Sequence, residues 1–178
     1  MGLILLVVVL AVFAVLFLSE GDARPKRLDD RTVLWIFLGI VVPLSAAVVE
    51  HLSLNPLLSW ITVLGSVIFV LGVVVRWVAR ITLGKFFTYE VKVTNEHKLI
   101  RKGIYKYIRH PLYTGILLLC FGAIVLLQSS VGFMLLLIVL VPALWHRMKV
   151  EEAFLLKAFG KRYQNYMKTT KRLIPGVY

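Results

Sequence analysis

Five stretches of this chain, residues 3–18, 33–49, 57–79, 112–127 and 131–146, are apolar and nearly free of charge, and a chain carrying such runs has few folds open to it. A helix rises about 1.5 Å per residue, so roughly 20 apolar residues cross a hydrocarbon core about 30 Å thick. Inside lipid every backbone N–H and C=O must be paired within its own helix or around a closed barrel. The runs are continuously apolar and do not alternate with period two, so they predict helices rather than barrel strands. The expected fold is an all-α integral membrane protein, a single domain over 1–178 with five transmembrane helices. Pro43 and Pro142 fall inside the second and fifth runs, where a kink is tolerated if neighbours repair the lost hydrogen bond. Only Gln128, Ser129 and Ser130 separate the last two runs, which predicts a tight antiparallel hairpin. Composition agrees: 60% of the residues are hydrophobic and 17% charged, well outside the range of ordinary soluble domains.

No basic segment precedes the first run, and SEGDARP after Leu18 offers no good small-residue cleavage site, so residues 3–18 are expected to remain as a span rather than leave as a signal peptide. Leu6 stands where a myristoylation signal needs Ser or Thr.

Charge is distributed with a strong bias. Of the 21 lysines and arginines, four lie between runs one and two, nine from Arg76 in the last turn of run three to the start of run four, and eight after run five. With the N-terminus outside, all three groups fall on one face, which the positive-inside rule makes cytoplasmic. The net charge of +12 then holds that face against anionic headgroups, at about 1 kcal/mol per basic residue near the surface. Nucleic acid is not an expected partner, because the basic residues flank membrane segments instead of gathering on a soluble module. The lone Cys120 lies inside the fourth run, which excludes a disulfide framework and a thiolate metal site. The four histidines form no close-spaced ligand pair, so no metal is expected, and His51, beside Glu50, belongs to the opposite face. Neither a P-loop, a Gly-rich dinucleotide motif nor a Ser/His/Asp order is present. Gly65 and Gly72 in the third run permit a close helix contact; the oligomeric state is not legible.

The chemistry must therefore sit in the two long polar segments, 80–110 and 147–178, which emerge on one face and can meet. A loop of some 30 residues is functional or separately folded more often than it is a connector. In the tail, RMKVEEAFLLKAFGKRYQNYM is rich in helix formers, and a helix through it ends near Gly160 or resumes beyond it. In GIYKYIRHPLYTGILL (103–118) the residue before proline avoids the α region and proline suits a first helical turn, which places His110 at the helix start with Pro111 near its first position. The positive end of that helix then faces the loop and can hold an anion. The bland alternative is a basic interfacial flank followed by a helix start. Arg147 and Glu151, four apart, share one face of a helix leaving the fifth run. As a plain ion pair they contribute only a few tenths of a kcal/mol; beside a helix N-terminus they can instead receive a zwitterionic ligand and an anionic substrate.

HKLIRKGIYKYIRHPLYTG (97–115), followed by RMKVEEAFLLKAFGKRYQNY and KRLIP, resembles the isoprenylcysteine carboxyl methyltransferase family and its prokaryotic relatives. The resemblance covers roughly residues 76–175 and rests on the joint occurrence of His-x-Leu, Gly-x-Tyr, Arg-His-Pro-x-Tyr-x-Gly and Glu-Glu-x-x-Leu-x-x-x-Phe-Gly. It implies methyl transfer from S-adenosylmethionine to a lipid-like acceptor, most simply the carboxylate of an isoprenylcysteine, with loop and tail enclosing the cofactor in a prokaryotic cell membrane. The cofactor would be bordered by His97, Lys98, Leu99 and Ile100, contacted by Tyr105, and held by His110, Pro111, Leu112 and Tyr113 at the start of the fourth span. Glu151 would bind its amino group and Arg147 the acceptor carboxylate, the two forming the catalytic pair. A glutamine of the family pattern falls at Glu90 here. A carboxylate is already ionised at neutral pH, so ester formation needs no general base and depends on alignment. Three other readings stay open: a phospholipid or other lipid-amine N-methyltransferase, to which Arg147 would be unhelpful, an NADPH-dependent sterol-type membrane reductase, and a non-enzymatic transporter or scaffold.

Overall fold

The computed structural model describes residues 31–54, 59–84 and 99–177. The first apolar run lies outside them, as do Glu90, His97 and Lys98. Among the described residues the chain is helical, with one isolated parallel bridge between Ile108 and Lys171. Helix α1 is Arg31–Leu54 and α2 is Trp60–Leu83. A short 3-10 turn, Gly103–Lys106, precedes α3, Pro111–Leu126. Helix α4 runs unbroken over Ser130–Phe159, and α5, Lys161–Thr169, follows the positive-φ Gly160.

Among the described residues, the last four apolar runs fall almost wholly within these helices, and most of the helices outrun them. Helix α1 exceeds its run by two residues at the start and five at the end, and α2 continues to Leu83, taking Arg80 into the helix. Helix α4 joins the fifth run to the tail without a break, because no proline or glycine lies between Ala143 and Phe159 to interrupt backbone pairing as the chain leaves the apolar layer. Among the described residues, α1, α2 and α4 are long and apolar enough to cross a membrane, while α3 is a shorter apolar helix. At about 1.5 Å per residue its 16 residues reach roughly 24 Å. It is the central helix: Gly115, Ile116, Leu119, Cys120, Gly122, Ala123, Ile124 and Leu126 are all buried, whereas Trp35, Val63, Val67 and Ile138 lie exposed on the bundle's outer face, as lipid-facing residues do.

Glycine explains how α2 and α3 come so close. A Cβ on Gly72 would lie 2.5 Å from the Leu119 backbone nitrogen, and one on Gly115 would lie 2.8 Å from the Arg76 Cβ. Gly65 likewise faces the backbone of Leu126, and Gly122 that of Phe69. Small residues that let backbones touch are the general means of packing helices in lipid, where no hydrophobic force draws them together. The contact that Gly65 and Gly72 permit is thus made within the chain.

The two internal prolines are accommodated differently. Before Pro142, α4 widens into a π segment over Leu136–Leu140, with the Val141 N–H bonded to the Leu136 carbonyl. This removes the clash that a proline ring makes with the carbonyl four residues back. Pro43 is accepted within α1, where its carbonyl faces Gly132 of α4. At the far end of the bundle the expected hairpin is present and is held by α1. Glu50 accepts hydrogen bonds from Ser129 Oγ (2.5 Å), Ser130 Oγ (2.9 Å) and the Val131 N–H (3.0 Å), which satisfies the opening turn of α4. His51 Nδ1 lies 3.0 Å from the Leu127 carbonyl.

Candidate active site

At the other end of the bundle, the start of α3 meets the part of α4 that extends beyond its apolar run. His110 is the N-cap residue of α3 and Pro111 its first residue, both buried, as the proline rule requires. The chain after α5 folds back along this point. The Arg109 N–H donates to the Lys171 carbonyl (2.8 Å), the His110 N–H to that of Arg172 (3.0 Å), and Thr114 Oγ1 to that of Leu173 (3.0 Å). Tyr166 donates its hydroxyl to the Tyr105 carbonyl, and Arg109 reaches the carbonyls of Thr170 and Met167. Segments about 60 residues apart in sequence are thereby fastened together over one helix end.

Two carboxylates on α4 divide the cluster. Glu152 is 5% exposed and receives Arg109 Nε (3.0 Å), His110 Nε2 (3.2 Å) and Arg172 Nη2 (2.7 Å). Burial acts to raise its carboxyl, but hydrogen bonds from His110 and Arg172 and the charge of Arg109 outweigh it, holding the group far below the usual carboxylate range. A depressed carboxyl contributes stability that is complete above its ordinary value of 4.5 and is lost as pH falls. The thermal midpoint in detergent should therefore fall progressively as pH drops below about 4.5, and by less in Glu152→Gln, which starts less stable.

Glu151, one position earlier, points elsewhere. Its Oε2 accepts from the Tyr113 hydroxyl at 2.7 Å and lies 3.9 Å from His110 Nδ1, and its side chain remains 30% exposed. The Tyr113 ring stacks on His110 with centroids 5.6 Å apart and 25° between planes. Arg147, 4% exposed and one turn before Glu151, places Nε 3.4 Å from the same Tyr113 hydroxyl and donates from Nη1 to Thr32 Oγ1 at 2.6 Å. Tyr113 thus stands between the acid and the base that the i, i+4 spacing puts on one helix face.

Tyr105 and Tyr163 complete the surroundings. Both hydroxyls are buried and, among the described residues, have no hydrogen-bond partner. Burial first, and then the charge of Glu151, pushes the Tyr105 phenol up; burial and the charges of Glu152 and Glu151 do the same to Tyr163. Both remain neutral donors close to the carboxylate pair. Leaving a buried hydroxyl unpaired costs about 1–3 kcal/mol, which a polar ligand group can relieve.

Of the residues expected from sequence, the structure brings His110, Tyr113, Arg147 and Glu151 into one cluster, with Pro111 beneath it and Tyr105 buried in the adjoining turn. Leu112 is half-buried in the first turn of α3. Leu99 and Ile100 are half-buried in irregular chain ahead of the 3-10 turn and take no part in the cluster's polar contacts. Sequence reasoning gave no role to Glu152, Arg109, Arg172, Tyr163 or Thr32. The adjacent acids Glu151 and Glu152 were a usable signal, since neighbours on a helix point about 100° apart and must serve different partners.

The membrane bundle gathers carboxylate, guanidinium and phenol at one helix mouth, and its class is that of the phospholipid methyltransferases, the family that the chain matches over residues 60–162. A probable protein-S-isoprenylcysteine O-methyltransferase of Oryza sativa is 32% identical over 158 residues, covering 84% of this chain and 83% of that protein. The Schizosaccharomyces pombe protein-S-isoprenylcysteine O-methyltransferase is 36% identical over 107 residues, 59% of this chain and 45% of that one. In fold, the chain matches a eukaryotic intramembrane Ras methyltransferase, isoprenylcysteine carboxyl methyltransferase, with a TM-score of 0.67 at 22% identity over 95% of this chain, spanning 64% of the solved one. The chain belongs to the isoprenylcysteine carboxyl methyltransferase family and is a membrane methyltransferase. These relatives are eukaryotic, so a prokaryotic source finds no support among them.

Proposed function

We propose that the chain uses S-adenosylmethionine to methylate the carboxylate of an isoprenylcysteine-type acceptor dissolved in the bilayer, in the cluster around His110, Tyr113, Arg147 and Glu151. The observation that carries this reading is Tyr113, whose single hydroxyl contacts both Glu151 and Arg147 and so sets two oppositely charged groups a few ångströms apart. When bound, the cofactor supplies an electrophilic methyl group, which passes to a carboxylate oxygen while the S–CH3 electron pair stays on sulfur.

The residues present fit such a ligand. Glu151, half-exposed and with one carboxylate oxygen taken by Tyr113, would hold the ammonium of its amino-acid end. The orphan hydroxyls of Tyr105 and Tyr163 can donate to its polar atoms. His97, Lys98, Leu99 and Ile100 would border it from the loop, and Pro111 and Leu112 from below. Arg147 would receive the acceptor carboxylate through its planar fork, with Tyr113 and Thr32 fixing the side chain beforehand. Positioning of this kind is the main catalytic contribution open to the protein, because the nucleophile is ionised without help. A guanidinium suits a carboxylate and opposes a protonated amine, so Arg147 favours ester formation over lipid-amine methylation.

The reading extends to the whole chain as one domain of five spans, including residues 3–18, with the N-terminus outside and the site on the cytoplasmic face. Its support is that the basic segments around α3, α4 and α5 converge at one end of the bundle.

Purified protein should bind S-adenosylmethionine and not NADPH, and should transfer a labelled methyl group to a small prenylated cysteine in a form released as methanol by base. Base-stable label on an amine lipid would instead establish N-methylation. NADPH binding without S-adenosylmethionine binding would overturn the proposal.

A further inference from the structure

The mechanism above leaves Glu152 unused, although it is the most heavily bonded side chain in the cluster. It is 5% exposed and is contacted by five nitrogens from three residues: Arg109 through Nε and Nη2 at 3.0 and 2.9 Å, Arg172 through Nε and Nη2 at 3.0 and 2.7 Å, and His110 through Nε2 at 3.2 Å. An ionised carboxylate can only accept hydrogen bonds. His110 Nε2 must therefore carry a proton. The residue is held on two sides: its backbone N–H is bonded to the Arg172 carbonyl, and its ring is buried with its face stacked on Tyr113.

The other ring nitrogen then matters. Nδ1 faces Glu151 Oε2 at 3.9 Å, beyond hydrogen-bonding distance. In the neutral ring with Nε2 protonated, Nδ1 is a bare acceptor opposite a second acceptor. A nitrogen placed ~2.9 Å from both would subtend an angle of about 85°, a geometry that two N–H groups of one ammonium can meet with modest bending.

We propose that Glu152 is a positioning residue: it holds the His110 proton on Nε2, so that Nδ1 and Glu151 Oε2 form a two-acceptor clamp for a protonated amine. Arg109 and Arg172 keep Glu152 ionised and in place. The identity of the amine, the ammonium of the methyl donor, rests on the function proposed above; the tautomer does not. The same division of labour, a carboxylate that fixes which imidazole nitrogen is available, is a general device in enzymes, and converting that carboxylate to an amide yields the wrong tautomer. The groups facing the ring are Glu151, Glu152, Arg109, Arg172 and the Tyr113 phenol. A doubly protonated His110 would make a long ion pair with Glu151 and would repel a cationic ligand, so the two states are chemically distinct.

Long-range proton–nitrogen NMR of the full chain in detergent, with nitrogen-15 histidine, reads the tautomer directly, and the His110→Gln spectrum identifies its resonances. The ligand-free wild type should show neutral His110 protonated on Nε2 near pH 7.5. In Glu152→Gln the amide can donate to Nε2, so the proton should move to Nδ1 and S-adenosylmethionine affinity should fall at least tenfold. Glu152→Asp should keep the tautomer and recover most of the affinity. Wild-type protein protonated on Nδ1, or on both nitrogens, would overturn the proposal, as would a folded Glu152→Gln with unchanged tautomer and affinity. Should Glu152→Gln fail to fold with Arg109 and Arg172 unpaired, the wild-type and Glu152→Asp spectra decide the matter. The Nε2 tautomer in a protein that binds no S-adenosylmethionine would sink the proposed function and leave the positioning role standing.

Discussion

Glu151→Ala is expected to abolish useful binding of the methyl donor, whereas Arg147→Ala should bind it nearly as wild type and fail to methylate the acceptor. Removing a charged hydrogen-bond acceptor from a largely desolvated site costs about 2–3 kcal/mol, which is a roughly 30- to 150-fold loss of affinity. Arg147 touches Tyr113 and Thr32 rather than the amine clamp, so its removal leaves Glu151 and His110 in place. Its loss should cost the acceptor step about 3–4 kcal/mol, or roughly 150- to 1,000-fold in kcat/KM for the prenylated cysteine. Titration calorimetry with S-adenosylmethionine and a methyl-transfer assay on the two purified variants separate the effects. Equal donor affinity in wild type and Glu151→Ala would remove the acid from the donor site, and a weakened donor site in Arg147→Ala would show that the two residues act as one unit.

Gly122→Leu should abolish the folded protein altogether. A Cβ at Gly122 meets the Phe69 backbone itself, and backbone cannot rotate aside as a side chain can. Ordinary overpacking costs about 1–3 kcal/mol and occasionally more; here α2 and α3 would be driven apart along a whole seam where Gly65, Gly72 and Gly115 also rely on backbone contact, so a loss above 3 kcal/mol is expected. Size-exclusion profiles and thermal melts in detergent should show aggregated or unstable protein. Val67→Leu, on the exposed outer face of α2, provides the control and should melt with wild type. A well-folded Gly122→Leu would mean that the α2–α3 contact is not a backbone contact.

Much of the site was legible because its residues lie in short local patterns. Arg109-His110-Pro111 announces a helix start by the stereochemistry of proline, and Arg147 with Glu151 shares a face by helical spacing; both hold in the structure. What could not be read is the partnership across distance. Glu152 lies 43 residues from Arg109 and 20 from Arg172, and no periodicity links the three. Thr32, 115 residues from Arg147, was hidden for the same reason, in a helix whose sequence reads only as apolar. Tyr163 and Tyr166 passed as ordinary residues of a helix-forming tail, although both are buried.

The amino-acid sequence by itself determined that the chain is helical and membrane-bound, where α3 begins, and which acid and base share a face of α4, since these follow from transfer free energy and backbone geometry acting over a few residues at a time. Only the tertiary structure decided that Tyr113 stands between Glu151 and Arg147, that Glu152 belongs to His110 and two arginines, and that the glycines of α2 are spent on α3 inside the chain. Those choices depend on which helix ends meet, and that is settled by close backbone packing along the glycine seam and by the need of buried charges for partners, neither of which leaves a local mark in the sequence.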